Sequence, residues 1–250
     1  MSEQSTFHTS LAADGVHIWC IRLESTAELL ESAYQTLSPD ERSRAARFLV
    51  DAPRNTFVLS RAVLRALLAG LNGSAAEDLR FGYTRERKPF LLHQASTMHF
   101  NMSHSSDLAA YAVTLASEVG IDVEQHRPMP DMAAIAQRFF SAKEYQSLLQ
   151  VPEPERISAF FDCWVRKEAY VKARGGGLGM GLDNFHVSLA PGEPAALLSI
   201  DDPTEDPQEW FLQAFTPEQG FSGALALRQK RCRVHLHKTM SATDVLYTRR

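Results

Sequence analysis

The sequence predicts an α+β protein of two pseudo-twofold-related lobes, each a long helix packed on a small antiparallel sheet. Three observations predict it. A long stretch with apolar residues at helical spacing occurs twice, from about Ala52 to Leu71 and from about Pro154 to Ala173. Each stretch is followed by four short strand-like runs, and strands clustered after a helix belong to α+β architectures rather than alternating α/β ones. The order strand, short helix, long helix, several strands is then the same in both halves. Residue identity between the halves is negligible, so the duplication rests on element order alone. At 250 residues the chain has room for two lobes, divided at 1–118 and 119–250. A cleft between lobes is a favoured place for a ligand.

Each element has its own local reason. Val16 to Leu23 alternates well enough for a first strand. Ser38-Pro39-Asp40-Glu41 marks a helix start, with a capping serine, proline at the first helical position and glutamate completing a capping box. In the long helix that follows, Phe57, Val58, Val63, Leu64, Leu67, Leu68 and Leu71 share a face, and Asn72-Gly73 ends it. Strand-like runs lie near Arg80–Tyr83, Phe90–Leu92, Met98–Met102 and Leu108–Leu115. Val119–Glu124 opens the second half as a strand, and Met132–Phe140 and Ser141–Leu149 read as short helices, the latter with a capping box at Ser141 and Glu144. After the second long helix, Gly175-Gly176-Gly177 stops the chain. Strands are expected near Asn184–Leu189, Ala196–Ile200, Trp210–Phe215 and Ser222–Leu227, with Pro191–Pro207 a peripheral loop and the tail after Lys238 a loose end.

Composition excludes several classes. Apolar residues make up 44% and charged residues 22%, the profile of a soluble globular protein. No apolar run approaches the ~20 residues of a membrane-spanning helix. The segment Met1–Thr6 shows no basic-then-apolar pattern, so no export signal is expected. Cys20, Cys163 and Cys232 are odd in number and unpaired in spacing, which disfavours zinc and disulfides and fits a reducing cytoplasm. A net charge of −4 argues against nucleic acid as a partner. Arg42, Arg44, Arg47, Arg54, Arg61 and Arg65 nevertheless crowd one segment, with Arg85, Arg87 and Lys88 close behind. This run is either a solvated helix face or a seat for an anion.

Three motifs could carry chemistry. In Gly120-Ile121-Asp122-Val123-Glu124 the strand alternation puts Asp122 and Glu124 on one side, about 7 Å apart at the backbone, with Ile121 and Val123 facing a core. Two such carboxylates repel unless a cation lies between them, and magnesium beside a phosphate is suited to that place. An acidic edge strand would look the same. On the second long helix, Trp164, Glu168 and Lys172 recur at i, i+4, i+8 and form one stripe. A Glu168–Lys172 pair is also an ordinary helix stabiliser, but that leaves Lys167 and Lys172 beside an acidic strand unexplained. Phe100-Asn101-Met102-Ser103-His104-Ser105 gathers amide, hydroxyl and imidazole groups where a strand meets a loop, as suits phosphate or ribose, or simply a turn satisfying its own backbone. The stretch Gly175–Gly181 is not a phosphate loop, because it follows a helix and lacks the Gly-Lys-Ser/Thr ending. The chain shows no nucleophilic-serine context of its own.

Together and in this order the motifs resemble the 4′-phosphopantetheinyl transferase superfamily, in its long, two-lobed, monomeric branch (the Sfp type). The family's Phe-Asn-x-Ser-His stands at Phe100–His104, its Gly-Ile/Val-Asp-x-Glu at Gly120–Glu124, and its Trp-x-x-Lys-Glu-Ala-x-x-Lys at Trp164–Lys172. Phe-Phe-Ser-x-x-Glu stands at Phe139–Glu144, and the resemblance spans roughly residues 15 to 190. It implies transfer of 4′-phosphopantetheine from coenzyme A to a serine of an acyl or peptidyl carrier protein, releasing 3′,5′-ADP. Magnesium is the implied ion, with manganese as an alternative, held by Asp122, Glu124 and Glu168. Glu168, Lys172 and His104 are the implied catalytic groups, Glu168 as base for the serine hydroxyl. Arg47, Arg61, Lys88, Ser103, His104, Lys167 and Lys172 are the implied coenzyme A contacts, Arg47 and Ser103 at the 3′-phosphate. The first lobe is then the adenosine and 3′-phosphate side, and the second carries the metal carboxylates and the catalytic helix. Phe139, Phe140 and the residues after Glu144 are expected to help receive the carrier. Arg87 departs from the glycine usual before Lys-Pro, and the role of Glu144 stays open between metal, architecture and base. A non-catalytic coenzyme A-binding protein and a metal-dependent pyrophosphohydrolase on the same fold are the alternatives.

Overall fold

A computed structural model describes residues 11–92, 98–176 and 180–247. The first half runs β1 (Gly15–Arg22), α1 (Ala27–Thr36), α2 (Pro39–Ala45), α3 (Asp51–Asn72), the hairpin β2 (Phe81–Tyr83) and β3 (Pro89–Leu91), then β4 (His99–Ser105) and β5 (Leu108–Thr114). The second half runs β6 (Val119–Gln125), α4 (Met132–Phe139), α5 (Ala142–Gln150), α6 (Glu153–Arg174), the hairpin β7 (Phe185–Val187) and β8 (Leu197–Ile200), then β9 (Phe211–Phe215) and β10 (Phe221–Leu227). The architecture is α+β and two-lobed. In the first half one element was not expected, α1, whose signal was Thr26, a side-chain cap on the Leu29 amide before the apolar spacing Leu29, Leu30, Ala33 and Tyr34.

The repetition extends to single residues. Both long helices have 22 residues and both stop at a glycine in the left-handed region, Gly73 and Gly175. The helices before them, α2 and α5, both open with a capping box, at Ser38 with Glu41 and at Ser141 with Glu144. Each box glutamate is buried and reaches the long helix. Glu41 accepts from Arg65 Nε at 2.6 Å, and Glu144 accepts from Lys167 Nζ at 2.6 Å. Arg65 and Lys167 occupy the same, fifteenth, position of their helices. Each also donates to a main-chain carbonyl at or just before the following hairpin, of Leu79 and Phe185. This settles Glu144 as an architectural residue: it is fully buried, and it also takes the Val187 amide at 2.7 Å.

Two sheets lie between the helices. One has the order β11-β1-β5-β4, where β11 is Arg233–Leu236, and the other β6-β10-β9. Alternate residues of β1 and β5 face opposite cores: Trp19, Ile21 and Tyr111 pack under α3, whereas Val16, Ile18, Ala110 and Ala112 pack against Ile121, Val123 and Leu225 of the second sheet. Burial on both faces explains why β1 and β5 read as nearly unbroken apolar runs. A third core lies under α6.

The tail corrects one expectation. Assigning all of 119–250 to the second lobe, with a loose end after Lys238, does not describe it. β11 (Arg233–Leu236) and β12 (Met240–Ser241) pair in parallel with β1 of the first lobe. His235 stacks on His17 at 4.5 Å, His237 stacks on Trp19 at 4.6 Å, and α7 (Ala242–Tyr247) buries Ala242 and Val245 in the first lobe's core. Non-local pairing of this kind leaves little local periodicity to read. Among the described residues no helix is long and apolar enough to cross a membrane.

Candidate active site

β4 and β6 belong to different sheets but run side by side, joined by side chains instead of a backbone ladder. Asn101 Oδ1 accepts the Ile121 amide at 2.9 Å, Ser103 Oγ donates to Asp122 Oδ1 at 2.6 Å, and Ser105 Oγ donates to Glu124 Oε2 at 2.6 Å. The polar cluster Asn101, Ser103 and Ser105 thus stitches the lobes together and aims the two carboxylates of β6. Ser103, expected at a 3′-phosphate, lines the smaller of two clefts that open here and lies between Asp122 and Lys172, whose Nζ is 3.0 Å away.

Gly120 sets the depth of β6 against α6. A Cβ there would meet the Ala169 carbonyl oxygen at 2.0 Å and the Ala173 amide nitrogen at 2.3 Å, so glycine alone permits this crossing. The contact brings the stripe Glu168 and Lys172 over the acidic face. Lys172 Nζ donates to Asp122 Oδ1 at 2.7 Å. Burial, the Asp122 charge and the Glu124 charge together raise the Glu168 pKa above the ordinary carboxylate value, despite the opposing Lys172 ammonium. The three carboxylates are therefore near enough to feel one another.

Whether these groups fit a divalent ion is read from their unmet needs. Asp122 Oδ2 is buried and has no hydrogen-bond partner, which is costly for a carboxylate unless a cation takes that position. Glu168 makes no side-chain hydrogen bond among the described residues. Against this, no group of three His, Cys, Asp or Glu side chains among the described residues is gathered closely enough to enclose a metal. Lys172 already lies on Asp122, and Glu124 leans toward Ser105 and Arg127, 3.1 Å away. Mutual repulsion keeps such acids apart when no ion draws them in. The donor chemistry fits; closing the ligand set requires Glu124 to turn.

Two joined clefts open over this floor. The larger, about 710 Å³, is lined by Glu168, Lys172, Asn101, Met102, Lys88 and the turn Arg85–Arg87. The smaller, about 270 Å³, shares Lys172, Met102 and Arg87 and adds Arg44, Arg61, Ser103 and His104. His104 is exposed at the rim, where the crowding of the cleft and the Lys172 ammonium lower its pKa, although Glu124 and Asp122 oppose this.

Of the expected coenzyme A contacts, Lys167 must be withdrawn. It is fully buried, held by Glu144 and the Phe185 carbonyl at 2.7 Å, and cannot reach a cleft. Arg61 lines the smaller cleft, but its guanidinium is engaged by Glu41 at 2.6 Å and Tyr83 at 3.2 Å. Lys88 lies between the lobes, 2.7 Å from Glu118 and 3.0 Å from the Val119 carbonyl. Arg47 is exposed after α2, with Nε 3.3 Å from the Ser43 carbonyl, and lies outside the lining of both clefts. Arg44, in the last turn of α2, lines the smaller cleft, whereas Arg47 lies past the end of that helix. Phe140, expected on a carrier-receiving surface, is buried.

Known proteins carry the same pattern. The family model described as 4′-phosphopantetheinyl transferase superfamily matches residues 118–226, and one described as 4′-phosphopantetheinyl transferase, N-terminal, matches residues 23–118. The chain is 36% identical over 220 residues to 4′-phosphopantetheinyl transferase HetI of Nostoc sp., covering 87% of this chain and 90% of that protein. It is 38% identical over 151 residues to psf-1 of Bacillus pumilus, 60% of this chain and 62% of that protein. With Sfp of Bacillus subtilis it shares 31% identity over 153 residues, 61% of this chain and 66% of that protein. Agreement along both lobes, and not only at the acidic strand and its facing helix, makes this chain a member of the 4′-phosphopantetheinyl transferase superfamily.

Proposed function

We propose that this chain transfers the 4′-phosphopantetheine group of coenzyme A to a serine of an acyl or peptidyl carrier protein. The observation that carries the reading is the buried, unpartnered Oδ2 of Asp122, whose other oxygen is held by Lys172, a residue that with Glu168 lines a cationic cleft. Asp122, Glu124 and Glu168 are the residues that would hold magnesium, which supplies charge neutralisation at a pyrophosphate. The serine oxygen bonds to the β-phosphorus, the bond from that phosphorus to the bridging oxygen breaks, and 3′,5′-ADP departs with the electron pair. Glu168, whose proton affinity is raised by its surroundings, accepts the hydroxyl proton. Lys172 neutralises Asp122 in the resting cleft and offers positive charge to the departing phosphate.

The test is mass spectrometry of a purified apo-carrier incubated with coenzyme A, magnesium and this protein. A carrier heavier by one phosphopantetheine, dependent on magnesium, is the expected result. Release of 3′,5′-ADP with an unmodified carrier would instead identify a pyrophosphohydrolase, and no product at all a coenzyme A-binding protein.

A further inference from the structure

The turn between β2 and β3 has three residues, Arg85, Glu86 and Arg87, closed by Thr84 N to Lys88 O at 2.9 Å and Arg87 N to Thr84 O at 2.9 Å. In hairpins of this length the third residue lies in the left-handed region, where glycine is favoured because it has no Cβ to clash. Here that residue is an arginine, at φ 64°. A long side chain kept in a conformation that disfavours it marks a place where the side chain is needed. Its location says for what. Arg87 lines both clefts, at the point where they join.

The other cations of the clefts are mostly committed. Lys172 lies on Asp122, Lys88 on Glu118, and Arg61 on Glu41. Among the described residues, Arg87 has no carboxylate partner, nor have Arg85 on the same turn and Arg44 across the smaller cleft; of these three, Arg87 is the one that lines both clefts. A guanidinium free of internal anions, fixed by a tight turn over an acid-lined floor, is suited to fork onto a phosphate.

We propose that Arg87 is a substrate-gripping residue, its guanidinium pairing with a phosphate of coenzyme A, and that the strained turn serves to aim it. The proposal rests on coenzyme A as the substrate, and its test is separable from the transfer reaction. Binding of coenzyme A to the full chain with magnesium is measured calorimetrically for the parent, Arg87→Gly and Arg87→Lys, alongside Tm. The expected result is an opposition of signs. Arg87→Gly weakens binding on the order of tenfold, while its Tm holds or rises because glycine relieves the turn. Arg87→Lys keeps the charge but not the fork and recovers only part of the affinity, and the salt dependence of binding is shallower for Arg87→Gly than for the parent. Dephospho-coenzyme A places the contact: a penalty that vanishes assigns the 3′-phosphate, and one that persists assigns the pyrophosphate.

Parent-like binding by Arg87→Gly would overturn the proposal, as would a loss that tracks a fall in Tm and is not recovered by lysine. A parent that binds coenzyme A but loads no carrier would sink the transfer reading while leaving Arg87 its role.

Discussion

At the scale of single residues, Glu168 and Lys167 are neighbours in the chain with opposite fates, and they make opposite predictions. Glu168 is a partly buried acid whose charge is disfavoured by its surroundings. A carboxylate with a raised folded-state pKa costs stability while it is ionised, so Glu168→Gln should leave Tm at pH 7 unchanged or higher. The same change removes the proton acceptor and should lower carrier loading by about 10²–10⁴-fold. A variant both active and destabilised would contradict each half of that statement. Lys167→Met leaves Glu144 buried without its cation, and loss of one partner of a buried pair costs about 3–5 kcal/mol. Denaturant unfolding should register that loss, with activity falling only as folded protein is lost. The motif Trp164–Lys172 announced both charged groups, but it could not say that one step around a helix separates a cleft from a core.

At the scale of elements, the crossing of β6 over α6 fixes the site. Gly120→Ala places a methyl into the backbone of α6 and should destabilise by about 1–3 kcal/mol or more, because overpacking against main chain has no side chain to yield. Circular dichroism on heating checks the stability, and carrier loading should fall further than Tm explains, since Glu168 and Lys172 move off the acidic strand. The capping boxes give a second prediction. Burial alone would raise the Glu41 pKa, but Arg61 and Arg65 outweigh it and hold it below the ordinary value. A depressed carboxylate contributes stability that is present above the unfolded value, about 4.3, and lost as pH falls through the folded one. Glu41→Gln forfeits that contribution at every pH. The Tm gap between parent and variant should therefore be wide at pH 7 and narrow on acidification below about pH 4; a gap constant with pH would deny the ion network its role.

At the scale of the whole molecule, the chain's last strands and helix complete the first lobe. Ending the chain after Lys230 strips β1 of its parallel partners and uncovers α3, exposing the sites of Val234, Met240, Ala242 and Val245. Several such side chains, at about 1.5–3 kcal/mol each for full burial, correspond to a Tm lower by about 10 °C or more. A truncated chain melting with the full one would mean that the tail is ornamental. The apolar interface between the sheets, Val16 and Ile18 against Ile121 and Leu225, makes the two lobes one packed body around the cleft.

Periodicity, caps and glycine stops, all local signals, made the two long helices, the helices before them and the strands from β1 to β10 legible in order, while α1 and the elements after Lys230 went unread. The pairing of Asp122 with Glu124 on a strand face and of Glu168 with Lys172 on a helix face was legible too, because each follows from the geometry of a single element. Tertiary structure alone decided which cations are free. Arg61, Lys88 and Lys167 are matched with Glu41, Glu118 and Glu144, partners 20 to 30 residues away, whereas Arg87 has no carboxylate partner among the described residues and lines the cleft. It alone decided, too, that residues 233–247 join the lobe begun at Gly15. A charge's partner and a strand's neighbour are set by distances through space, and those are fixed only when the chain has closed on itself.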